Sequence, residues 1–349
     1  RNTMNNIKKI GVSALAGSLA MVSANAVDYT MTGGMLATYT TADAPVKAGG
    51  EAEGGKGLGV ATDLSFNASG ELDNGYTVSY FMGVDTDGAL SNTSSQMTVG
   101  MGSLGTLQLN NKFGSKANAI DDITPHAYNE TWDGLTSSAT GNNPSFFGSN
   151  TTAGSIDYRI PAQDLMGLTI NASVTYDPNP GAGAAKGAVA ADNSGSGTAY
   201  TLQLAHESGL EIGGGFEEMD MQNAQVSADG LSTTTGYIKY AAGGLTVAYQ
   251  EAYQDTANTG TASEPDKESE MFGIAYTAGD FTVSYADAEV TTKASSTTAA
   301  LATIELDSIQ AAYTMGAMTV SLAMSETDND AGVTGNDYAE NTLAVSFAF

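Results

Sequence analysis

Residues 58–85 read LGVATDLSFNASGELDNGYTVSYFMGVD, and apolar and polar side chains alternate on both sides of Asp73-Asn74-Gly75. A period of two residues is typical of a β-strand whose two faces have different surroundings. The Asn-Gly pair favours the positive φ angles of a tight turn. The stretch therefore predicts a hairpin with Asp63 and Asp85 on the polar face of its two strands.

The same alternation continues along the chain and predicts 16 strands between Val27 and Phe349. Short Gly-containing turns alternate with long, polar, acidic loops, as expected for an antiparallel meander whose two ends differ. About ten residues of tilted strand cross a bilayer, and a membrane barrel has aromatic girdles at its interfaces. The aromatic residues beside the predicted short turns are Tyr76, Tyr240, Tyr276, Phe281 and Tyr313.

Composition leaves two all-β architectures open. The chain has 42 Gly, 16 Tyr and 10 Phe, with a mean hydropathy of −0.13. These values fit a soluble β protein or a membrane barrel whose polar interior and loops dilute its lipid-facing residues. A β-solenoid should repeat at a fixed period, whereas the predicted hairpins vary widely in length. We therefore predict an all-β, 16-stranded antiparallel transmembrane β-barrel.

The N-terminal residues have the pattern of an export signal. Lys8 and Lys9 precede an apolar run from Ile10 to Val22, and Ala24-Asn25-Ala26 is a small-x-small cleavage site. A membrane-spanning helix would need about 20 apolar residues. We expect residues 1–3 to be carry-over from upstream sequence, 4–26 a signal peptide cleaved near Ala26, and 27–349 the barrel domain.

Charge and cysteine content exclude several classes of protein. Three of the 12 basic residues and none of the 39 acidic ones precede the predicted cleavage site, so the mature chain carries nine basic residues and a net charge of −30. A nucleic-acid partner would need a basic face, and we expect none. The chain has no cysteine, so its stability comes from burial and hydrogen bonding rather than from disulfides.

One segment interrupts the alternation. Residues 106–112 alternate, no period survives from Phe113 to Ala153, and alternation resumes at Ile156. A structureless insert of this length is either functional or a sign of wrong assignment. Because regular hairpins lie on both sides, we interpret it as a functional loop, the third of the long ones.

The runs Gly102-Ser-Leu-Gly-Thr-Leu-Gln-Leu109 and Gly154-Ser-Ile-Asp-Tyr-Arg-Ile-Pro161 flank this insert, and the chain ends on Phe349. With its signal peptide and Gly-rich strands, the sequence resembles the general porins of Gram-negative outer membranes. The resemblance implies a barrel embedded in outer-membrane lipid, a homotrimer, and a third long loop that folds into the lumen and narrows it.

Two details of the resemblance concern the loop tip and the last strand. General porins often have a Pro-Glu-Phe-Gly-Gly type tip, but residues 143–148 read NPSFFG and lack the glutamate. A terminal strand ending on an aromatic residue resembles the signal read by the outer-membrane insertion machinery, although any amphipathic strand would alternate in this way. The residues of that signal are Leu343, Val345, Phe347 and Phe349.

Parity along the strands predicts which charges line the lumen. The expected constriction residues are Lys112, Asp121, Asp122, Glu130, Asp133 and Arg159. The expected lumen-wall residues are Asp63, Asp85, Asp157, Glu211, Glu217 and Lys239. Opposed charges across a narrow pore set a transverse field, and the excess of carboxylates predicts cation preference. Alternatively, the basic residues only pair with neighbouring carboxylates, which is worth about 0–1 kcal/mol at an exposed site.

Catalytic and cofactor motifs are missing from the sequence, with neither a His-Glu-x-x-His nor a Gly-x-Ser-x-Gly run. We expect no enzyme activity, no cofactor and no metal site. The predicted function is passive diffusion of small hydrophilic solutes and ions through a water-filled pore. A substrate-specific channel and a surface structural or adhesive barrel are the alternatives.

Overall fold

Sixteen antiparallel strands close into one barrel, as predicted. The computed structural model describes residues 28–43, 54–86, 90–133, 144–148, 154–178, 194–221, 230–256, 258–259, 262–263, 265–295 and 299–349. The predicted signal peptide and Asn143 lie outside these ranges. Within them, no helix is long and apolar enough to span a membrane.

The strand bounds follow the predicted alternation. The strands are β1 (Asp28–Asp43), β2 (Gly55–Glu71), β3 (Thr77–Asp85), β4 (Ser91–Gly100), β5 (Thr106–Asn111), β6 (Ile156–Arg159 and Gln163–Leu165), β7 (Leu168–Asp177), β8 (Ser194–His206), β9 (Leu210–Met221), β10 (Leu231–Ala242), β11 (Leu245–Asp255), β12 (Lys267–Ala278), β13 (Phe281–Thr292), β14 (Ile304–Met315), β15 (Met318–Asp328) and β16 (Tyr338–Ala348). Both segments of β6 pair with β7 and therefore count as one interrupted strand.

The barrel closes between its first and last strands. β1 pairs with β2 on one side and β16 on the other, so that Tyr39 lies opposite both Leu58 and Leu343. Gly33 and Phe349 exchange two backbone hydrogen bonds, of 2.7 and 3.0 Å. The last residue of the chain thus seals the seam, and the sheet has no free edge for another chain to extend.

Turns and loops are sorted by end, as predicted. Each short turn joins an even-numbered strand to the next one, while the long connections lie at the opposite end. At the β8–β9 turn, Gly209 has a φ of 90°, and a Cβ there would lie 1.9 Å from the Ala241 carbonyl oxygen. Glycine is required at such a position. The connection between β5 and β6 is the third of the long ones, and we call it the long loop.

Aromatic residues line the outer face beside the short turns. Tyr240, Tyr276, Phe281 and Tyr313 are exposed, and Phe281 lies directly opposite Tyr313 on the neighbouring strand. Tyr76 is half-buried beside the β2–β3 turn. These positions match those predicted for an interfacial girdle at the turn end of the barrel.

At the loop end of β11–β15, carboxylates face outward and apolar side chains face inward. The sequence analysis did not predict this reversal of the alternation. One carboxylate from each strand joins a continuous cross-strand row, and all five are exposed on the outer face. This carboxylate row consists of Glu251, Glu270, Glu289, Glu305 and Asp328. On the inner face, Met271, Ala288, Val290, Ile304 and Leu306 form a buried apolar cluster. The reversal arises because the long loop covers the inner surface, which makes that surface a packed core.

Candidate functional site

The long loop lies inside the barrel. Its segment 120–129 hydrogen-bonds to Gln250, Ser284 and Gln310, which lie within β11, β13 and β14 rather than at their ends. β6 and β14 are eight strands apart in a ring of sixteen, on opposite sides of the barrel. A loop that begins at β5 and bonds within β14 therefore passes through the interior.

The segment crosses four strands in order. Ile123 donates its N–H to Oε1 of Gln250 on β11 at 3.0 Å. Thr124 and Pro125 pass over Gly273 of β12, where a Cβ would lie 2.8 Å from each. Ala127 then donates its N–H to Oγ of Ser284 on β13 at 2.9 Å. The segment thus runs across the strands rather than along them.

Gln310 of β14 holds the far end of this crossing. Its Oε1 accepts the N–H groups of Tyr128 and Asn129 at 2.8 and 3.2 Å, and its Nε2 donates to the Asn129 carbonyl at 2.6 Å. Gln250 similarly donates from Nε2 to the Ile120 carbonyl at 2.9 Å. Each amide side chain therefore satisfies backbone donors and acceptors of the loop at once.

The loop tip is anchored separately. Phe147 is buried with Ile120 and Tyr237, and its ring occupies the space where a Cβ on Gly215 would lie 2.3 Å away. The N–H of Gly148 donates to Oε2 of the fully buried Glu217 at 2.9 Å. A carboxylate on the wall thus contacts the tip, which has no glutamate of its own.

Two large aromatic side chains of the loop extend the packing inside the barrel. Trp132 and Phe146 contact the inner apolar cluster of β12–β14, and Lys267 Nζ lies 5.6 Å from the centre of the Phe146 ring. Partial burial of these aromatic rings adds a hydrophobic contribution to that of the hydrogen bonds in holding the loop.

Four carboxylates lie along this loop. Asp122 Oδ1 accepts the N–H and the hydroxyl of Thr124, both at 2.6 Å, while burial raises the Asp122 pKa. Burial also raises the pKa of Asp133, against the effect of His126. For Glu130, burial followed by the charges of Asp122, Asp121 and Asp133 raises the pKa to about 8.

The basic residues predicted to line the constriction have specific partners. Lys112 follows the end of β5 instead of lying on its inner face, has a φ of 68°, and donates to the Asn92 carbonyl at 2.6 Å. Arg159 Nε donates to Asp157 at 2.6 Å, and Arg159 also bonds the Gly114 carbonyl at the start of the loop at 3.1 Å. Arg159 thus pairs with a neighbouring carboxylate, which is the alternative that we considered from the sequence.

The predicted lumen-wall residues divide into two groups. Asp157 and Glu217 are fully buried beneath the loop. Glu211 accepts a hydrogen bond from Tyr237 at 2.7 Å and pairs with Lys239 at 3.4 Å.

Asp63 and Asp85 form the second group and lie opposite each other on β2 and β3. They lie on the side of the barrel that the loop leaves uncovered, where Asp63 is exposed.

Exposure of inward side chains shows where the interior is open. Many inward side chains of β10–β15 are buried, including Thr233, Thr235, Gln250, Ser269, Ser284, Ser308, Gln310 and Ser325. In contrast, Thr32 of β1, Asp63 of β2 and Thr93 of β4 are exposed. Open space in the described part of the barrel therefore lies off centre, beside β1–β4.

Parity reasoning missed Gln250, Ser284 and Gln310 as loop contacts. All three occupy inward positions on alternating strands, which the sequence pattern could have located. The pattern does not show where a loop from a distant part of the chain crosses the wall, because that depends on tertiary packing.

Comparison with known families agrees with this architecture. The sequence matches the Gram-negative porin family over residues 11–349. The chain belongs to the Gram-negative porin family. The family and the fold indicate the outer membrane, and proteins of this family are known as non-enzymatic channels. No curated protein matches the sequence of this porin.

Solved porin structures share its fold. The anion-selective porin from Comamonas acidovorans has a TM-score of 0.66 and 13% identity, covering 93% of this chain and 100% of that one. The trimer form of OmpT from Vibrio cholerae has a TM-score of 0.60 and 9% identity, and the match covers 93% of this chain and 100% of that one. Salmonella typhi OmpF in complex with daunomycin has a TM-score of 0.60 and 13% identity, and the match covers 93% of this chain and 98% of that one.

Proposed function

We propose that this porin allows passive diffusion of small hydrophilic solutes and ions, with preference for cations. The observation that carries the proposal is a loop bearing Asp121, Asp122, Glu130 and Asp133 that hydrogen-bonds across the interior to the opposite wall. Negative charges beside a narrow passage concentrate cations and repel anions.

The proposed passage runs between the loop and the uncovered wall of β1–β4. Asp63 and Asp85 add carboxylates on its far side, while Arg159 and Lys239 each pair with an acidic partner. Paired basic groups contribute little net positive field. A similar fold occurs in a porin described as anion-selective, so we base the sign of the preference on the charges of this chain and not on its fold.

Planar-bilayer recording tests the proposal. At about pH 9, where Glu130 is ionised, a salt gradient should give a reversal potential of the cation-selective sign. Removal of the loop charges (Asp121→Asn, Asp122→Asn, Glu130→Gln, Asp133→Asn) should shift that potential toward zero. As a matched control, Glu251→Gln, Glu270→Gln, Glu289→Gln and Glu305→Gln remove four charges from the outer face. An unchanged reversal potential in the loop variant would contradict the assignment of selectivity to the loop.

The same recordings separate the alternatives. Large ohmic steps without saturable block support general diffusion. Saturable block by one solute would indicate a substrate-specific channel, and folded protein without conductance would indicate a structural or adhesive barrel.

We also propose that the porin forms a homotrimer and that residues 4–26 are removed on export. A trimer form is described for the structurally similar OmpT of Vibrio cholerae. Gel migration of unheated and heated protein tests the trimer, and the mass of the exported chain tests cleavage near Ala26.

A further inference from the structure

The track of segment 120–129 across the inner wall has an unusual chemistry. Among the described residues of the wall, the amides of Gln250 and Gln310 and the hydroxyl of Ser284 hydrogen-bond to its backbone. Between them lies Gly273, whose missing side chain lets the loop backbone approach β12. These three wall side chains are neutral, and the carboxylates of Asp121 and Asp122 lie between the two loop residues bound to Gln250.

An amide side chain presents the same pair of groups as a peptide bond. Gln310 accepts from Tyr128 and Asn129 and donates to the carbonyl of Asn129. Gln250 accepts from Ile123 and donates to the carbonyl of Ile120. Both glutamines are almost completely buried, so a carboxylate in their place would lose the donor and leave a loop carbonyl without its partner.

We propose that Gln250 and Gln310 are positioning residues for the pore. Their side-chain amides hydrogen-bond to the loop backbone as the peptide groups of a neighbouring strand would. These bonds hold segment 120–129 against the wall and thereby fix the width and charge of the passage. The proposal deepens the proposed function and rests on it for its effect on ion flow. The hydrogen bonds of Gln250 and Gln310 to the loop, which we call the clamp, can be tested without measuring any current.

Titratable groups surround the clamp without belonging to it. On the loop, Tyr128 is next to Gln310 and feels the charges of Glu340 and Asp133. Glu130 follows two residues later, and His126 precedes the segment bound to Ser284. On the wall, the direct cross-strand neighbours of Gln310 are the uncharged Ser284 and Ala323. The side chains of Gln250 and Gln310 themselves carry no titratable group.

Cysteine labelling gives a readout that needs no channel activity. The chain has no native cysteine, so Ala127→Cys introduces a single thiol beside Ser284. We expect slow modification by a water-soluble maleimide at neutral pH. Adding Gln250→Ala and Gln310→Ala should make it faster by about tenfold or more, since the several hydrogen bonds lost each contribute about 0.5–1.5 kcal/mol. Heat-modifiable migration on a gel identifies the folded barrels, and labelling rates are compared for those alone.

Gln310→Glu provides a variant of nearly the same shape. An ionised carboxylate accepts both loop N–H groups but cannot donate to Asn129, whereas the protonated form can donate again. Position 310 is almost completely buried, and burial raises the pKa of a carboxyl group. In bilayers, we therefore expect this variant to show extra current noise and substates at about pH 10 that disappear near pH 4. Gln203→Glu is the control, because Gln203 bonds Tyr237 of the wall and not the loop.

The outcomes separate the clamp from the proposed function. Equal labelling rates with and without the clamp substitutions would overturn the clamp, as would the same pH-dependent noise in the Gln203→Glu control. If the unaltered porin carries no current, the proposed function fails, and the labelling rates alone then decide the clamp.

Discussion

Gly148 donates its backbone N–H to Glu217 Oε2 at 2.9 Å, so a buried carboxylate of β9 holds the tip of the long loop. The usual arrangement suggested by family resemblance would place a glutamate in the tip itself. Here the charged partner belongs to the wall. The bond uses the backbone N–H of the tip and therefore needs no glutamate in the tip sequence.

Replacing Glu217 should release the tip. A hydrogen bond to a charged group contributes about 1.5–3 kcal/mol, so Glu217→Leu should lower the temperature at which the barrel loses its heat-modifiable gel migration. It should also raise current noise. Glu218→Leu is the control, since Glu218 is exposed on the other face of β9. Equal effects of the two substitutions would contradict the anchoring role.

Cation preference should increase with pH through the titration of Glu130. Its pKa of about 8 leaves it mostly protonated at pH 6 and ionised at pH 9, which adds one negative charge to the loop. Reversal potentials measured across this range should show the increase, and Glu130→Gln should remove it. A pH profile that is the same in both proteins would argue against Glu130.

The same shift has a consequence for stability. Because the folded protein keeps the proton more tightly than the unfolded chain, whose Glu pKa is about 4.5, stability should fall as pH rises from about 4.5 to 8 and then level off. Urea unfolding of the unaltered porin and of Glu130→Gln at several pH values measures this contribution.

Gly273→Ala should displace the loop. The added methyl group would lie 2.8 Å from both Thr124 and Pro125, closer than carbon atoms normally approach, so the crossing segment must shift away from β12. Single-channel conductance and ion selectivity should both change. The control is Gly236→Ala, where a Cβ meets nothing within 4 Å. An unchanged channel in Gly273→Ala would show that the loop adapts without cost.

The carboxylate row should lie outside the bilayer core. Like charges directly opposed across strands repel each other, and burying them in lipid would cost far more than exposing them to water. A membrane-impermeant maleimide added to intact cells should therefore label Glu289→Cys. It should not label Val283→Cys, six residues along the same outer face of β13. Labelling of both would contradict this boundary.

Two variants at Phe349 separate its role in closing the barrel from its predicted role in recognition by the outer-membrane insertion machinery. Deleting it removes two backbone hydrogen bonds to Gly33, so refolding in detergent should give a less heat-stable barrel. Phe349→Ala keeps those bonds and removes only the exposed ring. It should refold normally yet assemble poorly in cells if residues 343–349 serve as the insertion signal. Normal assembly of Phe349→Ala would contradict that role for the ring.

Alternation predicted the barrel because every second residue faces a different solvent along most strands. Asn74-Gly75 and the other Gly turns fixed the hairpins, and the short and long connections appear at the ends that their lengths predict. Local sequence determines these features through the two-residue strand period and the backbone freedom of glycine.

The interior depends on contacts between distant residues, and sequence pattern predicted it less well. Lys112 was expected on the inner face, but β5 ends one residue earlier and turns the side chain to the Asn92 carbonyl. Glu217 was expected to line open lumen and is buried beneath Gly148. In both cases, the partner is a backbone group whose position alternation cannot reveal.

The off-centre opening places the seam of the barrel in the wall of the proposed passage. The uncovered wall is built from β1–β4, and β1 is held in the ring by pairing with β16. The loop instead is held by β11, β13 and β14, on another side of the ring. The contact that closes the barrel therefore belongs to the wall of the proposed passage, whereas the contacts that hold the loop do not involve it.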